Sequence, residues 1–254
     1  MLIFVRLLPL LVGVLNALLF FLQARNADAY PWLALLAFAV LLGAVVVMLW
    51  RRRRGSADDV RLMIPSFTAL LVSAYALLLA EGALALWIIP LFAGGVSFVS
   101  LELLFLSTFV SARYPVNGLS HVNLTIVPLA LWLTAFTSVG LTVFVNSSRL
   151  VPILAMCVVT FLLFYATSHA EAGHVSRRRW AWLGAWLGLH LGVFGAVLPV
   201  NMVLHGTLAA VAGSFALRAR RYSIQPQIPK KVMVFESLMA LALITVILAT
   251  AQWV

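Results

Sequence analysis

Glu102, His190 and His205 stand out first, because each places an ionisable group inside a long apolar run. Such a group costs roughly 2.5–3.5 kcal/mol at the centre of a bilayer on insertion scales, so it is expected to be neutral, paired or turned to a polar cavity. Glu102 lies near the centre of the run 91–111, at the depth where a carboxyl could bind a proton or a cation. His190 lies near the middle of the run 180–198, at a depth similar to that of Glu102, so an acid–imidazole pair is geometrically possible, although nothing in the sequence shows that the two helices touch. His205 lies in the next run, beside Gly206. Two intramembrane histidines are also the ligand type of b-type haem, but their depths on this hairpin differ and no second matched pair exists. An interhelical hydrogen bond for each is the expectation.

A second cluster, His169-Ala-Glu171-Ala-Gly-His174, has metal-ligand character. On a helix, however, residues 169 and 174 would point about 140° apart at 100° per residue, unlike an i, i+4 pair. A solvated helix end is the expected reading. No GxSxG, phosphate-binding glycine loop or acidic cluster occurs, so no residue is assigned a catalytic role. No cofactor is expected, although neither haem nor metal is excluded. Glu81 and Glu236 lie near opposite interfaces, where structural roles are expected.

These groups need elements to hold them, and composition says what kind. The 254 residues are 64% hydrophobic and only 9% charged, with a mean hydropathy of +1.11. Soluble domains are about 45–50% apolar and 25% charged, so lipid is the expected solvent and an all-α polytopic membrane bundle the expected fold class. The net charge of +10 comes from short basic clusters flanking apolar runs, which points to anionic lipid headgroups and not to nucleic acid. Cys157 is the single cysteine, so no intramolecular disulfide or CxxC site exists.

Nine spans of one membrane domain are expected, at 2–22, 31–50, 62–86, 91–111, 121–145, 150–168, 180–198, 200–217 and 232–254. The first would be lost, leaving eight, if it were a cleaved signal; the length of its apolar run favours retention. The turn between the third and fourth is ambiguous: Glu81-Gly82 could form it, but a break at Pro90, Gly94 and Gly95 is preferred for the span lengths it leaves. Stripes of small residues are expected to be packing faces. They are Ser66, Ala69, Ser73, Ala76 and Ala80; then Ser97, Ser100, Ser107 and Ser111; then Ala130, Thr134, Ser138 and Thr142; then Gly184, Gly188 and Gly192.

With the Arg51 cluster on the cytoplasmic side, fourteen Lys and Arg fall on that side against Arg25 and Arg149 on the other. The positive-inside rule then predicts a cytoplasmic N-terminus and an outer C-terminus, as in a bacterial inner membrane protein. Arg51, Arg52, Arg53, Arg54, Arg177, Arg178, Arg179, Arg218, Arg220 and Arg221 are the expected headgroup contacts. The leading functional expectation is a small permease-like transporter centred on Glu102, with helices unwound near Pro90-Gly94-Gly95, Pro128 and Pro199. A non-catalytic subunit or assembly factor of a larger membrane complex, with partner membrane subunits, is the alternative. A lipid-modifying enzyme using the His169–His174 region is the third.

Overall fold

The computed structural model describes residues 2–51, 57–109, 118–167, 174–198, 201–224 and 229–250. These residues form helices α1 (Leu2–Arg25), α2 (Trp32–Arg51), α3 (Ala57–Leu62), α4 (Ile64–Leu78), α5 (Ala83–Phe109), α6 (Gly118–Phe144), α7 (Leu150–Ala166), α8 (His174–Val197), α9 (Met202–Ile224) and α10 (Lys230–Ala249). Backbone N–H and C=O groups have no water to bond in hydrocarbon, so an apolar chain must satisfy them within its own helices. The result is the helical bundle expected. Among the described residues eight helices are long and apolar enough to cross a membrane, with α3 and α4 joined as one of them, and α7 is a shorter apolar ninth.

The break before α5 falls at Leu79–Gly82, so the preferred turn at Pro90, Gly94 and Gly95 is corrected. Helix α5 runs unbroken through all three, and α6 runs unbroken through Pro128. Opening the backbone in the apolar region would strand polar groups at several kcal/mol each, whereas Glu81-Gly82 is exposed and can be solvated. A proline inside a helix removes only one bond, which neighbouring helices can offset. The expected unwinding at Pro90 and Pro128 is therefore absent; Pro199 lies outside the described residues.

The chain divides into two compact units, residues 1–126 and 127–254, with the boundary inside α6. In unit 1 helices α1, α2, α4 and α5 enclose a core that includes Phe20, Leu41, Met48, Leu70, Leu101 and Leu104. Helices α1 and α5 are antiparallel and very close. A Cβ added at Gly94 would lie 2.6 Å from the Gly13 carbonyl oxygen, and one at Gly13 would lie 2.7 Å from Phe98 Cβ. This is the close backbone approach that small residues permit between membrane helices.

In unit 2 the predicted Gly184-Gly188-Gly192 ladder is the face that α8 lays on α7. A Cβ at Gly184 would meet Phe164, one at Gly188 would meet Met156 and Thr160, and one at Gly192 would come within 2.6 Å of Ile153 Cα. Aromatic groups close one end: Phe164 stacks on Trp180 at 4.8 Å, and the Arg220 guanidinium lies 4.5 Å over the Trp180 ring. Helix α10 packs along α9 and buries none of its residues.

Candidate functional site

The polar chemistry of unit 1 converges on the seam between α1, α4 and α5. At one end Arg6 of α1 forms an ion pair with Glu102 of α5, and its guanidinium also lies 5.1 Å over the Phe105 ring. Residues 102 and 105 share a helix face at i, i+3, so one α5 surface supplies both a carboxylate and a π face to the same cation. Glu102 is six residues past Val96, the central residue of α5, or about 9 Å along the helix at 1.5 Å per residue. The expected central carboxyl is therefore displaced toward one end of its helix and paired.

Further along, Ser66 of α4 and Ser100 of α5 share a hydrogen bond with 2.5 Å between their oxygens. Asn16 Nδ2 donates to Ser97 Oγ at 2.9 Å, and Ser97 Oγ donates to its own Ala93 carbonyl at 2.8 Å. Gln23 Nε2 donates to the Ala74 carbonyl at 3.0 Å. Asn16 and Gln23 are seven residues apart on α1, two turns, so they face the same way. All these polar side chains are buried, as is Ser73. Beyond Gln23, Tyr30 and Tyr75 meet edge to face at 5.8 Å. Burial, aided by a hydrogen bond with Tyr75, pushes the Tyr30 phenol above its ordinary pKa.

The amide donors of Asn16 and Gln23 are used, but their oxygens are not, and the Ser73 hydroxyl is used neither way. Asn16 Oδ1, Gln23 Oε1 and Ser73 Oγ are buried without a hydrogen-bond partner among the described residues. Asn123 on α6 repeats the pattern, with Nδ2 donating to the Leu62 carbonyl at 2.9 Å and Oδ1 unmet. A buried acceptor left unmet costs about 1–3 kcal/mol. Several together along one seam make a row of oxygen lone pairs that could receive hydrogen bonds or a small cation.

His190 and His205 have opposite surroundings in unit 2. His190 is exposed, with Nδ1 2.8 Å from the Trp186 carbonyl and its ring 4.2 Å from the Trp186 ring, one turn back on its own helix. Glu102 and His190 each have their own partner in their own unit, so the acid–imidazole pair has no support in these contacts. His205 is fully buried, stacked on Phe194 at 5.9 Å, and its ring fills the notch left by Gly195. Neither ring nitrogen has a hydrogen-bond partner among the described residues, contrary to the expected interhelical bond. The two histidines do not face one another across α8 and α9 as axial ligands would.

The His169, Glu171 and His174 side chains lie outside the described residues, as do those of Arg51, Arg52, Arg53, Arg54 and Arg221. Among the described residues no three His, Cys, Asp or Glu cluster for a metal. Arg178, Arg179 and Arg218 are exposed, whereas Arg177 is buried. Arg220 is half-buried against Trp180.

Sequence reasoning missed Arg6 as the partner of Glu102, and it missed the two amides. The signal was available: Arg6 and Asn16 are the strongly polar residues of the run 2–22, and Gln23 follows it directly. Comparison with protein-family models, curated proteins and solved structures gave no match.

Proposed function

We propose that the protein is a small membrane transporter that passes a proton or a small monovalent cation along the polar seam of unit 1. The observation that carries this reading is the set of buried oxygens, Asn16 Oδ1, Gln23 Oε1 and the Ser73 hydroxyl, without hydrogen-bond partners among the described residues. From Arg6 to Gln23 helix α1 rises about 26 Å at 1.5 Å per residue, close to the roughly 30 Å of a bilayer core. Hydroxyls and amides are thus spread over most of the distance an ion must cover. Glu102 stands at one mouth and is held by Arg6. Release of Arg6 exposes a carboxylate that attracts a cation, and its return closes the mouth. In this reading the N-terminus is cytoplasmic, the C-terminus is outside, and the host is a bacterial inner membrane, as the fourteen-to-two basic asymmetry favours.

Purified protein in liposomes carrying a pH- or cation-sensitive dye tests this directly. The wild type should dissipate an imposed gradient, and Asn16→Leu and Glu102→Gln should each slow it at least tenfold while the folded yield holds. Wild-type liposomes as tight as empty ones would sink the proposal. The reading as a non-catalytic subunit draws on one observation, that α10 buries no residue within its own chain. Stoichiometric co-purification of a second membrane chain, in place of flux, would favour it.

A further inference from the structure

Helices α9 and α10 are antiparallel neighbours that do not close against each other. One cleft between them, of about 470 Å³, has Phe215, Phe235, Met239 and Leu243 among its walls and Arg218 with Glu236 on its lining. A second, of about 350 Å³, lies toward the other end of the same two helices and includes Thr207, Ile247 and Thr250. The larger cleft combines apolar walls with one cation and one anion, which is the composition of a phospholipid site.

The two charges are incompletely used. Arg218 Nη1 lies 3.5 Å from Glu236 Oε1, a loose contact, and the Arg218 side chain is largely exposed. Glu236 Oε2 is buried and has no hydrogen-bond partner among the described residues. A planar guanidinium with spare N–H donors suits a phosphate. A buried carboxylate oxygen with no donor calls for an N–H or O–H brought from outside. One headgroup meets both demands, a phosphate diester followed by a primary ammonium. Lys230 and Lys231, both exposed at the start of α10, put this end of the cleft at the polar edge.

We propose that the cleft between α9 and α10 is a binding site for an aminophospholipid. Arg218 engages the phosphate, Glu236 Oε2 accepts from the ammonium, and one acyl chain lies between Phe215, Phe235, Met239 and Leu243. The site is independent of the polar seam of unit 1. A choline headgroup has no N–H to give Glu236, and a glycerol headgroup supplies a hydroxyl but no positive charge, so the site should discriminate among the three.

The full chain is reconstituted in bilayer discs of phosphatidylethanolamine, phosphatidylcholine and phosphatidylglycerol in equal parts. It is then re-extracted in mild detergent, and the retained lipid is counted by mass spectrometry. Phosphatidylethanolamine should exceed phosphatidylcholine at least tenfold. Glu236→Gln should bring that ratio near one, and Met239→Trp, which fills the chain slot, should lower retention of all three. Equal retention of phosphatidylcholine would overturn the proposal, since only the tail would then be recognised. Preference for phosphatidylglycerol would overturn it too, because the basic residues alone would account for binding. Should Glu236→Gln fail to fold, the wild-type ratio decides.

Discussion

Removing Arg6 should harm unit 1 more than removing Arg6 and Glu102 together. The side chains of the pair are 53% and 21% exposed, so the carboxylate is the more enclosed member. A charge at the bilayer centre costs roughly 2.5–3.5 kcal/mol, and the cost falls toward the interface. With Glu102 about 9 Å from the centre of its helix, an orphaned carboxylate there should cost about 1–2 kcal/mol. Arg6→Leu imposes that cost. Glu102→Leu leaves a guanidinium near a helix end, whose long stem can carry it to the interface, so about 0.5 kcal/mol is expected. The double variant Arg6→Leu/Glu102→Leu leaves no unpaired charge and should lie within about 0.5 kcal/mol of wild type, since a buried ion pair can often be replaced by apolar residues at little loss. The coupling energy is then about 2 kcal/mol, within the range for residues in direct contact. Unfolding of all four proteins in bicelles, followed by steric trapping, measures it. If Arg6→Leu is no less stable than Glu102→Leu, or the double variant is the worst of the four, then Arg6 does not neutralise Glu102.

Two packing predictions concern glycine and histidine. Gly192→Ala should destabilise by about 1–3 kcal/mol, because the new Cβ meets backbone of α7 that cannot rotate away. Gly43→Ala, with nothing within 4 Å of the added Cβ, should be neutral or stabilising by up to about 1 kcal/mol through helix propensity; thermal unfolding in detergent separates the two. His205→Leu should be neutral or stabilising by about 1 kcal/mol, since it removes two buried nitrogens that have no partner among the described residues. A loss above about 1 kcal/mol in the same assay would show that the imidazole is satisfied in the working protein.

Much of the fold was legible because lipid makes helix formation a local matter. The apolar runs had to become helices, and the small-residue stripes had to mark close approaches. Ser66 therefore meets Ser100 as the third and fourth segments suggested, and Gly184, Gly188 and Gly192 seat α8 on α7. The turn at Leu79–Gly82 was misjudged because a break at Pro90, Gly94 and Gly95 leaves a fourth span nearer the length a bilayer requires. In hydrocarbon the unmet backbone would cost more than the proline, and the missing Cβ of Gly94 serves to admit Gly13 and Ala17. Side-chain partners were illegible for a different reason. Arg6 and Glu102 are 96 residues apart and Asn16 and Ser97 are 81 apart. Helices that are apolar all round carry no marker of which neighbour they will choose.

The two units use polarity in different ways, and this bears on function. Unit 1 ties α1, α4 and α5 with hydroxyls, amides and one ion pair. Each interhelical bond of this kind is worth only about 0.6 kcal/mol on average in a membrane bundle. That is too little to account for burying three further acceptors unmet at about 1–3 kcal/mol each. Unit 2 joins α7 to α8 with glycine and aromatic contacts, a kind of packing that unit 1 also has where Gly13 and Gly94 bring α1 against α5. Glycine packing therefore already joins α1 to α5, and the Asn16 amide is an addition to it. On the proposed reading, the unmet oxygens of that seam serve as a path. It follows that Asn16→Leu should lower flux while holding or raising stability; a variant that loses both in proportion would return the seam to a purely structural role.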